Sequence, residues 1–264
     1  MAEHMDKKKL PIAFFDSGVG GISVLREAVK LMPDENYLFF GDSANAPYGT
    51  KTREEILHLT LGHCARFYER GIKALVIACN TATSAAINDL RRIYTDIPVI
   101  GIEPALKPAA LMSRHPTVIV MATPLTVSAR KFHDLLGHYT DLADVIPLGC
   151  PGLMEYVEQG EITGPRVTSY LTSLLSPWLA EKHVDAIVLG CTHYPFLAPV
   201  IQEIAGSDVR IFDGGPGTAR ELRRRLAQDH LLTDSAVRGS IDFRNSLPEK
   251  ISLSRKLFSA GLSL

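Results

Sequence analysis

Two stretches constrain this chain more than any other: Ala74-Leu-Val-Ile-Ala-Cys79-Asn-Thr-Ala-Thr-Ser84 and Ala186-Ile-Val-Leu-Gly-Cys191-Thr-His-Tyr-Pro-Phe196. Each is a short apolar run of the kind that forms a strand buried on both faces of a parallel sheet. Each then turns polar at a cysteine, as a chain does on entering a helix. A thiol so placed lies at the carboxyl end of a strand, where open α/β sheets bind ligands. Backbone N–H groups at the start of the following helix favour the thiolate, lowering its pKa and making it a usable base or nucleophile. Because the device occurs twice, the pattern predicts two related modules facing each other and a two-sided active site.

The rest of the chain alternates in the same way. Pro11–Phe15 reads as a first strand, followed by the glycine-rich turn Asp16-Ser-Gly-Val-Gly-Gly21 and a helix that stops at Pro33. Tyr37–Phe40 is a second strand. The loop Gly41–Gly49 is polar and broken by glycine and proline, and Thr52-Arg-Glu-Glu55 is a capping box for a helix to about Gly71. Further strands are expected at Val99–Ile102, Thr117–Met121, Asp144–Pro147 and Arg210–Phe212, with helices between them, including one near Ser128–Leu136 and one from Phe196 to Ala205. Gly214-Gly-Pro-Gly217 reads as a turn into a helix carrying Arg220 and Arg223 to Arg225, a solvated face. The segment after Gly239 gives no clear signal. Such alternation implies βαβ units and mainly parallel sheets, so the fold class is α/β, with a boundary near Ile102–Pro104.

Composition narrows the function. With 264 residues and 46% hydrophobic content the chain can bury a sizeable core. Lysine plus arginine number 28 against 29 aspartate plus glutamate, so no overall field recruits nucleic acid or an anionic membrane. The run Leu10–Phe15 is too short for a signal sequence and no stretch approaches a membrane span, so a cytoplasmic protein is expected. Four cysteines, Cys64, Cys79, Cys150 and Cys191, contain no C-x-x-C pair, which excludes a zinc ribbon or redox dithiol motif and fits a reducing compartment.

Of these cysteines, Cys64 lies inside a helix and Cys150 precedes Pro151, and both read as buried structural residues. Asp16–Gly21 reads as a tight turn or an anion cradle at a helix start. A dinucleotide fold competes, since Gly18-x-Gly20-x-x-Ser23 resembles a degraded G-x-G-x-x-G with Asp42 about 20 residues on. That reading leaves both cysteine turns without a role, and no G-x-x-x-x-G-K-[ST] occurs. A cysteine hydrolase needs one nucleophile, not a matched pair. Two opposed thiols, with His193 beside one of them and no metal set, suit proton removal from a carbon next to a carboxylate. If one thiolate takes the proton from one face and a neutral thiol returns one to the other, the stereocentre inverts.

At these residues the chain resembles the glutamate racemases of the aspartate/glutamate racemase superfamily. The resemblance rests on Phe15-Asp-Ser-Gly-Val-Gly-Gly21, on Asp42 through Pro47-Tyr-Gly49, on Ala78-Cys-Asn-Thr81 and on Gly190-Cys-Thr-His-Tyr-Pro195. It implies two similar α/β subdomains with the site in the cleft between them, the first from 10–103 plus 214–264 and the second from 104–213. It also implies cofactor-independent racemisation of L- and D-glutamate by two bases, supplying D-glutamate for peptidoglycan, in a cytoplasmic homodimer. Carried over by position, Cys79 is the base acting on D-glutamate and Cys191 the base acting on L-glutamate, assisted by Asp16 and His193. Ser17, Pro47, Tyr48, Gly49, Asn80, Thr81 and Thr192 hold the substrate, joined by Thr123, Thr126 and Glu158. Aspartate and hydantoin remain rival substrates within that resemblance.

Overall fold

The computed structural model describes residues 6–260. The chain divides into two compact units, Met1–Ile102 with Gly215–Leu264, and Glu103–Gly214. The first unit begins with β1 (Ile12–Asp16), α1 (Ile22–Leu31), β2 (Tyr37–Gly41), α2 (Arg53–Arg70), β3 (Ala74–Ile77), α3 (Asn80–Ile93) and β4 (Val99–Gly101). Every residue of β1 and β3 is buried, as strands covered on both faces must be. Helix α2 starts where the Thr52-x-x-Glu55 spacing predicts: the Thr52 hydroxyl accepts the Glu55 N–H at 3.3 Å, and the Glu55 carboxylate accepts the Thr52 N–H at 2.8 Å. It ends at Gly71, whose φ of 86° favours glycine.

The second unit carries α4 (Leu106–Ala110), β5 (Thr117–Ala122), α5 (Pro124–Ser128), α6 (Arg130–Gly137), β6 (Asp144–Gly149), α7 (Leu153–Glu158), α8 (Pro165–Glu181), β7 (Ala186–Leu189), α9 (Ala198–Ala205) and β8 (Arg210–Asp213). Its sheet has the order β6-β5-β7-β8, with all neighbours parallel. One face of this sheet packs Val118, Val120, Ala186 and Val188 against Leu106 and Ala109 of α4 and Phe132 of α6. The helix expected near Ser128–Leu136 is two pieces, because α5 is a single turn capped by Thr123 and the chain turns extended at Ala129 before α6. The helix expected from Phe196 begins at Ala198, after a 3-10 turn Tyr194–Leu197.

The chain then returns to the first unit through α10 (Gly215–Gln228), β9 (Ile241–Asn245) and α11 (Lys250–Ser259). Helix α10 starts inside the segment read as a turn, since a proline in the first helical turn breaks no hydrogen bond. It packs on α1. Strand β9 completes a five-stranded sheet of order β4-β3-β1-β2-β9, again wholly parallel. Ile241-Asp-Phe-Arg-Asn245 alternates apolar and polar residues because it is an edge strand, which hides it from a search for continuous apolar runs.

Parallel pairing sends every strand's carboxyl end to one edge of its sheet. The opposite edge of the first sheet is fastened by a buried ion pair between Lys73 and Glu35. The Lys73 ammonium also donates to the carbonyls of Lys8 at 2.5 Å and Leu231 at 3.0 Å, while the Glu35 carboxylate accepts the Thr233 N–H at 2.9 Å. Burial pulls the Lys73 pKa down, and Glu35 only partly offsets it. Among the described residues no helix is long and apolar enough to cross a membrane.

At the carboxyl edge, Gly41 ends β2 against the turn that follows β1. A β-carbon there would lie 2.2 Å from the Gly18 carbonyl oxygen and 2.7 Å from the Asn245 amide nitrogen. Gly41→Ala is therefore expected to lower the unfolding free energy by about 1–3 kcal/mol. Urea unfolding checks this, and an unchanged midpoint would show that the Gly18 turn moves aside without cost.

Candidate active site

The first cluster is set by strand register. Phe15 pairs with Ile77 in the parallel β1–β3 ladder, which brings Ser17 level with Cys79 two residues further on. The Ser17 hydroxyl and the Cys79 sulfur lie 3.3 Å apart in a buried contact. Cys79 is also the N-cap of α3, its sulfur accepting the Ala82 N–H at 3.4 Å. The helix start thus puts positive backbone dipole on the sulfur, which favours a thiolate. Asp16, fully buried at the end of β1, accepts the Gly18 N–H at 2.9 Å. Gly21 lets the turn close on it, since a β-carbon there would lie 2.7 Å from the Asp16 β-carbon. Asn80 and Thr81 occupy the first turn of α3, both buried. Among the described residues the Asn80 side-chain oxygen has no hydrogen-bond partner.

The loop after β2 is built around Asp42, whose carboxylate has no solvent exposure. It accepts the Tyr48 hydroxyl at 2.8 Å, the Asn45 amide at 3.0 and 3.1 Å on its two oxygens, and the His63 ring N–H at 3.2 Å. Burial alone would raise the Asp42 pKa, but these donors overcome it and hold the carboxyl down at about 2. Burial and the Asp42 charge push the Tyr48 phenol up, so it stays a neutral donor. The Ala46–Pro47 peptide is cis. Pro47 and Gly49 are half-buried on either side of Tyr48, and the short turn Tyr48–Thr50 packs on α3, the helix that Cys79 caps.

In the second unit the same construction recurs. Met121 pairs with Leu189 in the β5–β7 ladder, which brings Thr123 level with Cys191. The Cys191 sulfur lies 3.6 Å from His193 Nδ1, and His193 Nε2 lies 2.9 Å from a Glu158 carboxylate oxygen. His193 is 1% exposed and Glu158, from the end of α7, is 9% exposed. Burial works against the imidazolium, yet the hydrogen bonds to Cys191 and Glu158 outweigh it and raise the His193 pKa well above its ordinary value. Thr123 caps α5, and its hydroxyl lies 2.9 Å from that of Thr126. Thr192 is buried beside Cys191.

The sequence-derived residues therefore gather into two clusters. Asp16, Ser17, Cys79, Asn80, Thr81 and the Pro47–Gly49 turn belong to the first unit. Cys191, Thr192, His193, Glu158, Thr123 and Thr126 belong to the second. The other two thiols stand outside both chemistries. Burial pushes the Cys64 thiol up, and it pushes Cys150 up to about 12, so both remain protonated and inert. Asp42 stands in the sequence motif that runs to Pro47-Tyr-Gly49, but its His63 donor has no sequence signal, since nothing local marks a histidine on α2 as facing a carboxylate 21 positions earlier.

Comparison with known proteins shows the family. A family model for Asp/Glu/Hydantoin racemase matches residues 20–222. A glutamate racemase from Clostridium perfringens is 51% identical over 254 residues, 96% of this chain and 97% of that protein. Among solved structures, the Escherichia coli glutamate racemase in complex with L-glutamate and the activator UDP-MurNAc-ala superposes with a TM-score of 0.83. It is 31% identical, covering 94% of this chain and 95% of that one. The glutamate racemase of Francisella tularensis in complex with D-glutamate gives a TM-score of 0.82 at 27% identity, covering 97% and 96%. With matched thiols at two strand ends and relatives of this closeness along nearly its whole length, the chain belongs to the Asp/Glu/Hydantoin racemase family, among its glutamate racemases.

Proposed function

We propose that the chain interconverts L- and D-glutamate by two-base proton transfer at Cα, with Cys79 and Cys191 acting on opposite faces of one substrate carbon. The observation that carries this reading is the duplicated thiol: each cysteine follows a parallel strand, level with a hydroxyl residue, and each has its own groups for managing a proton. Relatives solved with D-glutamate and with L-glutamate support the substrate.

In the forward step Cys79, as thiolate, removes the Cα proton of D-glutamate while the Cys191 thiol delivers a proton to the other face, giving L-glutamate. The reverse step exchanges the roles. Because the Cα–H is weakly acidic, the base must be desolvated and well placed, and both cysteines are less than a tenth exposed. Asp16 assists Cys79. His193, held by Glu158, assists Cys191 by supplying positive charge beside its thiolate. The unpartnered Asn80 oxygen suits the substrate ammonium, and helix-start N–H groups with Thr81 and Thr192 suit its carboxylates. The Tyr48 hydroxyl is committed to Asp42, so this residue and Gly49 would meet substrate through backbone N–H groups beside Pro47 and Ser17. Thr123 and Thr126 complete the polar lining. No organic cofactor or metal enters these steps.

We further infer a cytoplasmic homodimer whose D-glutamate feeds peptidoglycan synthesis, roles implied by the resemblance. The four cysteines form no C-x-x-C pair in the sequence, which fits the reducing compartment.

Cys79→Ser and Cys191→Ser are each expected to cut racemisation by about 100-fold or more without loss of fold, and ordinary turnover in either would overturn the mechanism. In D2O, without pyridoxal phosphate, both enantiomers should acquire deuterium at Cα, measured by mass spectrometry. A requirement for that cofactor would contradict the two-base reading. Parallel assays with aspartate separate the rival substrate.

A further inference from the structure

His63 does not belong to any motif that identifies the chain, yet it occupies a built position. Its ring sits between two aromatic side chains, with centroids 5.6 Å from Phe15 of β1 and 4.7 Å from Phe40 of β2. Its side chain is 12% exposed, and Nε2 lies 3.2 Å from the Asp42 oxygen that also receives the Tyr48 hydroxyl at 2.8 Å. Asn45 and Tyr48 come from the same loop as Asp42, so they tie that loop to itself. His63 comes from α2, a separate element anchored by its own capping box. The aromatic slot fixes the ring plane, the ring fixes one carboxylate oxygen, and that oxygen fixes Tyr48 between Pro47 and Gly49.

We propose that His63 is a positioning residue for glutamate binding, holding the Pro47–Gly49 turn in its binding shape through the Asp42 carboxylate. The inference rests on the reading of that turn as part of the substrate site. Asp42 is ionised at neutral pH, so it needs donors, and the His63 N–H is delivered from outside its loop. Without that donor the Asp42 side chain is held only by its own loop, and the cost falls on the ordering of Tyr48 rather than on either thiol. Substrate affinity then changes while the proton-transfer step does not.

Two variants of the full chain separate the donor from the packing. His63→Phe fills the slot between Phe15 and Phe40 but donates nothing. His63→Gln places an amide N–H at similar reach. For His63→Phe we expect KM for both enantiomers to rise about three- to tenfold, with kcat within about twofold, and for His63→Gln we expect values close to wild type. Hydrogen–deuterium exchange, which needs no turnover, should show faster uptake over residues 42–50 in His63→Phe and not in His63→Gln. Should His63→Phe not fold, His63→Met reads the same quantities. Wild-type KM and exchange in the donor-less variant overturn the proposal, as does an equal defect in His63→Gln, which would assign the effect to packing. A loss of kcat at constant KM overturns it too. Absence of glutamate turnover in the wild-type chain would instead defeat the functional reading, and the exchange comparison would still decide the role of His63.

Discussion

Parallel strand pairing is the constraint from which the chemistry follows. In a parallel ladder neighbouring strands end at the same edge, so the first residues beyond them are level whether or not they are close in sequence. This is why Ser17 meets Cys79 across 62 positions, and why Thr123 is level with Cys191. The helices that follow begin at the same edge and aim their N–H groups there. A thiol, a hydroxyl and a helix start thus converge at Cys79 as a property of the fold, and the second sheet again sets a thiol level with a hydroxyl residue at its strand ends.

The two copies are alike in frame and different in the groups beside the thiol. Cys79 lies 3.3 Å from a serine hydroxyl and accepts a backbone N–H. Cys191 has an imidazole backed by a carboxylate, and burial makes that charged pair sensitive to its partners. Cys64 and Cys150 lie elsewhere in the same molecule, and burial pushes both of their thiols upward.

What could be read from sequence follows the same physics. Ala74–Ile77 and Ala186–Leu189 announce themselves because strands covered on both faces must be apolar throughout, and the capping box of α2 is a local pattern with a local cause. Strand β9 is at an edge, half-exposed, and so lacks the signature that marks its neighbours. The Glu158–His193 pair spans 35 positions, and Lys73 gathers partners from Lys8 to Leu231; neither has any local trace. Glu158 is marked in the sequence by the family resemblance alone. His63 had no such help, since its meaning depends on where β1 and β2 place two phenylalanines.

The capping of α3 by Cys79 has a consequence for any reagent aimed at that sulfur. The acceptor that closes the first turn of the helix is the same atom that chemistry would alkylate. Covalent labelling would take away that acceptor and fray the helix start by about 1 kcal/mol. A shift in melting temperature on labelling would therefore carry a signal of occupancy at one particular thiol, even in a mixture where turnover is not measured. An electrophile that leaves an oxygen within reach of the Ala82 N–H would restore the cap and bind a sturdier protein than one that leaves a bare alkyl group.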